Sequence, residues 1–512
     1  ILREAGTIRA RARDLVRNNP TARQAVRVSR QGAIGAHFRL FLRPDYEFLG
    51  LTHEEIVDWS RMAERVWEQY AHGMNNWADA GRRFSFSEMM GLVHDSDFVD
   101  GECLVAAEWR DDGAPWQTCF QIVDVDRLSN PYHRPDTVAM KGGVEMDRFG
   151  APVGYHIRQS HPGDIGLMGA DPWTWDAVPR ETSWYRPIIS HSFDPVRAGQ
   201  TRGVSEFASV IQALKLGKEY AENELANSAA RAGFIAVLTS AINFEKAAEI
   251  IGQLGADPSA AGDGADMMTD LAFKNLEATA GYYNELNLSV NGQKIPKLSP
   301  GDKLEFLGNN TPGQGYAAYI ASQIRNVAAG LGVDPVAISQ DFSNVNYSSA
   351  KLAWSVNGGH AETRRARLVR MIAMPIVGGW MEEAVMSGRL PMPPGLTTNQ
   401  FYAARDALVR GTFLCAGKPS LDPLKDAQAD NMGLMAGTRT MAQIAADAGL
   451  NWEEQLEQRA REIYKQAQLG LMPVGALPPP VSEDAFEDDE TEADDYDDPG
   501  APPKRKDDPA EA

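Results

Sequence analysis

The strongest constraint on the fold is a single long helical pattern. From Val204 to Ala230 the apolar positions Phe207, Val210, Ile211, Leu214, Tyr220, Ala221 and Leu225 recur at helical spacing. Lys215, Lys218, Glu219, Glu222 and Glu224 occupy the other faces. Such a helix is about 40 Å long at 1.5 Å per residue, and its stripe is too narrow to be wrapped by one small core. A helix of this kind packs against copies of itself or against a partner. It begins after Asp194-Pro-Val-Arg-Ala-Gly-Gln-Thr-Arg-Gly-Val-Ser205, a polar, glycine-rich turn.

Around it the chain reads as α+β and predominantly helical. Helices are expected to Asn18, from Pro20 to about Gln31, and from Thr52 to about Ala80. The last starts on the capping box Thr52 to Glu55 and buries Ile56, Trp59, Ala63, Val66, Trp67, Tyr70, Met74 and Trp77. Phe86 to Val99 adds another, and His37 to Leu42 is strand-like. Leu104–Trp109, Thr118–Val125, Gly143–Met146 and Val153–Arg158 alternate as strands, with connections too short for anything but antiparallel pairing. Phe234–Leu238, Leu286–Val290 and Asp302–Leu307 are further strand candidates, with a Gly/Ala/Asp-rich loop at Gly255–Asp266. A helix from Gly315 to Gly330 is followed by the polar loop Gln340–Ser348. A longer helix runs from Ser349 to Ser387, bent at Gly358-Gly359 and Pro375. From Thr398 to Leu471 the chain is helical again.

Charge is unevenly placed along the 512 residues, whose formal total is −20. From Ser482 onward there are fourteen acidic and three basic residues, too polar a segment to offset its ordering entropy, and it is expected to be disordered. The first fifty residues hold ten arginines against four acids, and no lysine precedes Lys141. Arg9, Arg11, Arg13 and Arg17 lie off the apolar stripe of the first helix, suited to pairing with a neighbouring domain or subunit, or with nucleic acid. Cys103, Cys119 and Cys415 are too few and too scattered for a disulfide framework, which favours a reducing compartment. No apolar run reaches the 18 or so residues of a membrane span. The expectation is a soluble intracellular protein.

Catalytic patterns fail one by one. There is no GxSxG elbow, no HExxH and no complete GxGxxG. Gly411 to Lys418 approaches a phosphate-binding loop but has one residue too many, with Pro419 where a hydroxyl is needed. The nine histidines show no i, i+4 pair, and no metal or cofactor is implied. Asp95, Asp97, Asp100 and Glu102 beside His94 form an acidic cluster, read first as a solvated helix-to-strand junction and second as a metal or acid/base site.

Three segments, in order, resemble the lambda-type portal proteins of tailed bacteriophages. Ile189 to Ser205 carries that family's H-x-F-x-x-x-R-x-G-Q-x-R-G-V-S signature, with Arg197, Gly199, Gln200, Arg202 and Gly203 in the motif positions. Ile324 to Pro335 followed by Asp341-Phe-Ser-Asn-Val-Asn-Tyr-Ser-Ser-Ala-Lys351 is similar to its Asn-Tyr-Ser-Ser region, with Lys351 in place of the usual arginine. Asp422 to Ala429 and Gly449 to Glu453 resemble its C-terminal pattern. The resemblance implies a non-enzymatic ring, typically of twelve subunits, at a capsid vertex of the virion, assembled in the host cytoplasm. Double-stranded DNA passes through such a ring. Its partners are the terminase large subunit, head-tail connector or adaptor proteins and the major capsid protein, and it has no membrane role.

The implied organisation is a wing (1–203), a first stem helix (204–230), a clip (231–312), a second stem helix (313–332), a tunnel-loop region (333–350), a kinked wing helix (351–397), a helical crown (398–472) and the acidic tail (473–512). Lys215, Lys218, Glu222 and Arg325 would lie on the stem. The channel loop would comprise Asp341, Phe342, Ser343, Asn344, Val345, Asn346, Tyr347, Ser348 and Lys351.

A ring of fixed cations would hold DNA through counterion release, so a conduit must be nearly free of them. The loop fits, and arginines at Asn344 and Asn346 are expected to stall packaging. The competing readings are a metal-dependent nuclease or hydrolase on the Asp95–Glu102 cluster, and an adaptor or scaffold that forms no channel.

Overall fold

The computed structural model describes residues 2–233, 237–239, 270, 274, 289–290, 293–294, 303–305, 315–343, 345–415, 417 and 422–471. The architecture is α+β and mostly helical. Helices α1 (Leu2–Asn18) and α2 (Pro20–Ala33) meet at Asn19, whose side chain accepts hydrogen bonds from the Thr21 and Ala22 backbone while Pro20 opens the new helix. After β1 (Arg39–Leu42) and a single turn, α3 (Tyr46–Leu49), comes α4 (His53–Ala71), started by the expected Thr52/Glu55 capping box.

Helix α4 buries Ile56, Trp59, Ala63, Trp67 and Tyr70, but it stops nine residues short of the expected Ala80. Met74 is fully exposed and Trp77 only half-buried. The cause lies in Asp79, whose carboxylate accepts from the backbone of Gly81, Arg83 and Phe84, and in Asn76, which turns to positive φ. A short polar side chain here offers the backbone a better set of partners than a helix would.

Helix α5 (Phe86–Asp100) leads into the β region. Strands β2 (Glu102–Trp109), β3 (Thr118–Val123) and β8 (Ile189–Phe193) form one antiparallel sheet in the order β3-β2-β8. Strands β4 (Met140–Lys141), β5 (Val144–Met146), β6 (Pro152–Arg158) and β7 (Trp175–Pro179) form a second, also antiparallel. The turn joining β5 to β6 is closed by Asp147 and by Gly150 at positive φ.

The long helix α6 (Ile211–Gly233) does not start at Val204; a 3-10 turn, Glu206–Ser209, precedes it. After α6 the described strand pieces are β9 (Val237–Thr239), β10 (Ser289–Val290), β11 (Gln293–Lys294) and β12 (Lys303–Glu305), paired as β9 with β12 and β10 with β11. The loop Gly255–Asp266 and the acidic tail lie outside the described residues.

Helix α7 (Tyr316–Leu331) returns beside α6, followed by α8 (Pro335–Ser339) and the long α9 (Tyr347–Leu368). A π-helical turn, Val369–Ala373, joins α9 to α10 (Met374–Met386). The expected irregularity at Gly358-Gly359 is absent: both glycines lie inside regular α9. The break sits at the π turn, immediately before Pro375, which has no N–H to give to the ordinary helical ladder.

The stretch from Thr398 is not wholly helical. After α11 (Thr398–Ala403) and α12 (Arg405–Val409), residues Gly411–Leu414 form β13, paired antiparallel with β1. The segment that mimics a phosphate loop is thus in part a strand. A Cβ on Gly411 would come within 2.6 Å of the Phe41 carbonyl oxygen, so glycine serves strand contact here. The chain closes with α13 (Pro423–Met435), α14 (Met441–Asp447) and α15 (Trp452–Gln468).

The main core gathers Phe38, Trp67, Tyr70, Phe86, Trp380, Phe401 and Phe413 from both ends of the sequence. The Trp67 and Trp380 rings meet edge to face at 5.0 Å, and Phe38 stacks on Phe413 at 4.7 Å. A second core joins α1, α2 and α5 to the start of α6 and the end of α7 through Phe98, Phe207, Leu214, Val327 and Leu331.

Candidate functional site

The signature turn before α6 is a buried electrostatic joint. Glu102, the first residue of β2, is fully buried; its carboxylate receives Arg202 Nη2 at 2.6 Å and Arg202 Nε at 2.8 Å, Arg9 Nη1 at 3.2 Å and the Gly203 backbone N–H at 3.0 Å, and lies 3.1 Å from His191 Nε2. Arg202 spends its remaining donors on the carbonyls of Val125, Leu128 and Gly142. Burial alone would raise the Glu102 pKa, but the Arg202 guanidinium and His191 outweigh it and hold the carboxyl well below the usual range.

Two glycines make this approach feasible. A Cβ on Gly203 would stand 1.9 Å from the Gly101 carbonyl oxygen, and one on Gly101, at φ 89°, would stand 2.1 Å from Val204 C. Gln200 ties the turn by donating to the Arg202 carbonyl and accepting from Val196 N–H, Gly199 supplies a positive φ of 74°, and Arg197 is exposed.

Neither sequence reading of the acidic cluster describes what is found, because it is no solvated loop and its carboxylates face arginines. Asp95 pairs with Arg30 at 2.9 Å, Asp97 with Arg367 at 2.6 Å, and Asp100 with Arg13 at 2.7 Å. Burial raises the Asp97 and Asp100 pKa values, opposed by these guanidinium groups. Asp124, Asp126 and His161 also lie within ligand distance of one another, but Arg13 donates to both aspartates and supplies the positive charge there. Of the N-terminal arginine face, Arg9 and Arg13 therefore pair with a neighbouring part of the same chain.

Sequence reasoning missed the second half of this framework. Arg364 donates to the Leu331 carbonyl and sits 4.8 Å over the Phe98 ring, Arg365 donates to the carbonyls of Gly32 and Ala33, and Arg367 reaches both Asp97 and Asp194. Together they grip the C-terminal third of α9. The only signal was the density of arginines in Thr363-Arg-Arg-Ala-Arg367, which names no partner.

The grip presents two surfaces. Helices α6 and α7 pair through Tyr220, whose ring lies 4.4 Å from Tyr319 and 5.8 Å from Tyr316. At the far end of α7, a Cβ on Gly330 would come 2.4 Å from Val210 Cγ1, so the helices close tightly at this base. Beyond it the α6 stripe loses cover: Leu225 is 72% exposed. Lys215 faces Glu219 at 3.8 Å and Lys218 faces Glu222 at 3.7 Å, each one turn on, while Arg325 is exposed on α7.

The second surface is the loop before α9. Gln340 ends α8 at positive φ; Asp341, Phe342 and Ser343 are exposed, and Asp341 accepts from the Ser343 backbone and hydroxyl, which lowers its pKa. Val345 is half-buried. Asn346 caps α9 in a reciprocal box with Ser349, so Tyr347 and Ser348 belong to the helix rather than to the loop. Asn344 lies outside the described residues. The Lys351 ammonium stands 3.9 Å from Asp426 on α13.

The sequence model described as "Phage portal protein, lambda family" matches residues 1–365. The portal protein of Escherichia phage N15 is 30% identical over 465 residues, covering 91% of this chain and 85% of that protein. Portal protein B of Escherichia phage lambda is 30% identical over 465 residues, covering 91% and 84%. Among solved structures, a chain from the virion of a native gene transfer agent particle aligns with a TM-score of 0.39 at 15% identity, covering 92% of this chain and 94% of that one. The chain belongs to the lambda family of phage portal proteins, which are structural components of the virion rather than enzymes.

Proposed function

We propose that the chain is one subunit of a ring, twelve-membered by the family resemblance, that forms the channel for DNA packaging and ejection at a capsid vertex. The observation that carries this reading, beside the family, is the α6/α7 pair. Its helices are tightly joined at one end, yet Leu216 and Leu225 remain exposed along α6, as they must if neighbouring copies cover them.

In this reading α6 and α7 are the stem, with the clip between them at 231–312. The loop Asp341–Asn346 lines the narrowest passage, and α9 and α10 return to the wing. The crown begins after β13, because Phe401, Leu408, Val409 and Phe413 belong to the main core. Terminase, connector proteins and the major capsid protein are the proposed partners, and assembly in the host cytoplasm precedes incorporation into the virion.

The charge distribution supports transit. The stem lysines Lys215 and Lys218 are answered by glutamates one turn on, and the loop sequence 341–346 includes a carboxylate and no cation. DNA phosphates therefore meet few fixed counter-charges and can slide. Images of the purified full-length protein test the assembly directly: a wide ring with a central hole supports it, and a stable monomer or dimer at micromolar concentration contradicts it.

A further inference from the structure

Most of one row of arginines stands outside the pairing that organises the rest of the N-terminal region. On α2 the residues Ala22, Ala25, Val26, Ser29 and Ala33 are buried. Arg23, Arg27 and Arg30, spaced i, i+4 and i+7, lie together on the flank beside that buried stripe and are all exposed. Arg17, in the last turn of α1, is exposed beside them in sequence. Arg30 makes one bond to Asp95. Arg17, Arg23 and Arg27 take part in no ion pair among the described residues, whereas Arg9, Arg13, Arg39 and Arg61 nearby each do.

We propose that the acidic C-terminal segment of the same chain docks on this row, with the runs Glu487–Glu490 and Asp494–Asp498 facing Arg17, Arg23 and Arg27. Two observations select this occupant. The first is charge: fourteen acids against three bases from 482 onward meet an N-terminal region with ten arginines against four acids in fifty residues. Arginine forks match carboxylates two donors at a time, a geometry the chain already uses at Asp100 and Glu102.

The second is reach. The start of α15 is held to the N-terminal region by Arg61 to Glu453 at 2.9 Å and Arg39 to Glu454 at 3.3 Å. Arg39 follows the end of α2 by six residues. Retracing α15 spans about 25 Å, and the chain from 472 to 490 can extend to about 60 Å, enough to bring the first acidic run to α2. Tethering keeps its effective concentration in the millimolar range. A guanidinium row left open would hold DNA phosphates; the docked segment keeps it occupied.

The test uses full-length protein and a glutamate-specific protease that cuts within 487–492. Cleavage at low salt is expected to be about tenfold slower than in the Arg23→Glu/Arg27→Glu variant, the scale of a few exposed ion pairs acting together, with the difference vanishing at high salt. Adding Asp488→Arg and Asp489→Arg to that variant is expected to restore protection. Equal cleavage of the starting protein and the charge-reversed variant at both salts overturns the proposal. So does loss of protection that the compensating charges fail to restore. Protection that appears only on raising protein concentration assigns the docking to a second copy, and protection that appears only with added duplex DNA assigns the row to nucleic acid; either result also overturns it.

Discussion

At the scale of residues, Arg202 is the most demanding position. A lysine there keeps the charge but cannot span Glu102 and three carbonyls at once. Arg202→Lys is expected to cost about 3 kcal/mol, the scale of a broken buried pair, read as a fall of several degrees in the melting temperature. Gly203→Ala is expected to be worse, giving little soluble protein, because no side chain can move aside from a backbone oxygen 1.9 Å away.

The Glu102 carboxyl also sets a pH dependence. Its folded-state pKa is depressed, so its contribution is complete above the ordinary glutamate value near 4.5 and is lost as pH falls below that toward the folded value. Thermal melts are expected to show the gap between the starting protein and Glu102→Gln closing below about pH 4.

The sequence exposed Arg202 and Gly203 through the motif, and Glu102 only as one member of an acidic run. Which arginine answers which acid was not legible, because Arg13 and Asp100, or Asp97 and Arg367, are brought together by tertiary packing and by no local spacing.

Among elements, the joint between α15 and the N-terminal core combines Arg39, Arg61, Glu453 and Glu454 above Glu64 of α4. Burial is the main cause that lifts the Glu64 carboxyl to about 7, opposed by the Leu42 N–H it accepts at 2.7 Å and aided by Glu453 and Glu454. The sign follows: between about 4.5 and 7 the folded chain holds a proton that the unfolded chain does not, so this group's contribution falls as pH rises through that window. Glu64→Gln is expected to stabilise the protein at pH 8 by up to ~2 kcal/mol and to be near neutral at pH 4, measured by chemical denaturation at the two pH values.

Elements with local signals were legible: the Thr52 box, the Asn19-Pro20 corner and the strands β2, β3, β5 and β6; β4, β7 and β8 were not. Strand β13 was not, because four residues from Gly411 carry almost no periodicity and their partner β1 lies some 370 residues earlier. The bend in the long helix was legible at Pro375 and misread at Gly358-Gly359. A glycine pair permits a bend without requiring one, while a proline removes a donor.

For the whole molecule, the loop proposed to line the channel gives the functional prediction. Asn346 is the α9 cap, so arginine there would combine a structural loss of about 1 kcal/mol with any effect on DNA. Ser343→Arg, with or without Asn344→Arg, separates the two. Rings are expected to form normally while packaged DNA per particle falls sharply, and normal filling would contradict a passage that depends on weak charge. The order of the long elements was visible in the sequence because helical periodicity survives without knowledge of neighbours. Whether another copy covers part of α6 was not visible, since an apolar residue such as Leu225 reads alike whether a core or another copy covers it.

The first 140 residues contain no lysine, and Arg9, Arg13 and Arg30 clasp carboxylates within that stretch. Amine-directed reagents therefore find no side-chain target in that stretch. Acylation or amine cross-linking of assembled particles will map only the segments from Lys141 onward. A blank over residues 1–140 in such a map reflects composition and carries no information about whether that surface is covered. Guanidinium groups also stay protonated through mild alkaline treatment, so the charge of the pairs that hold Arg9, Arg13 and Arg30 persists there.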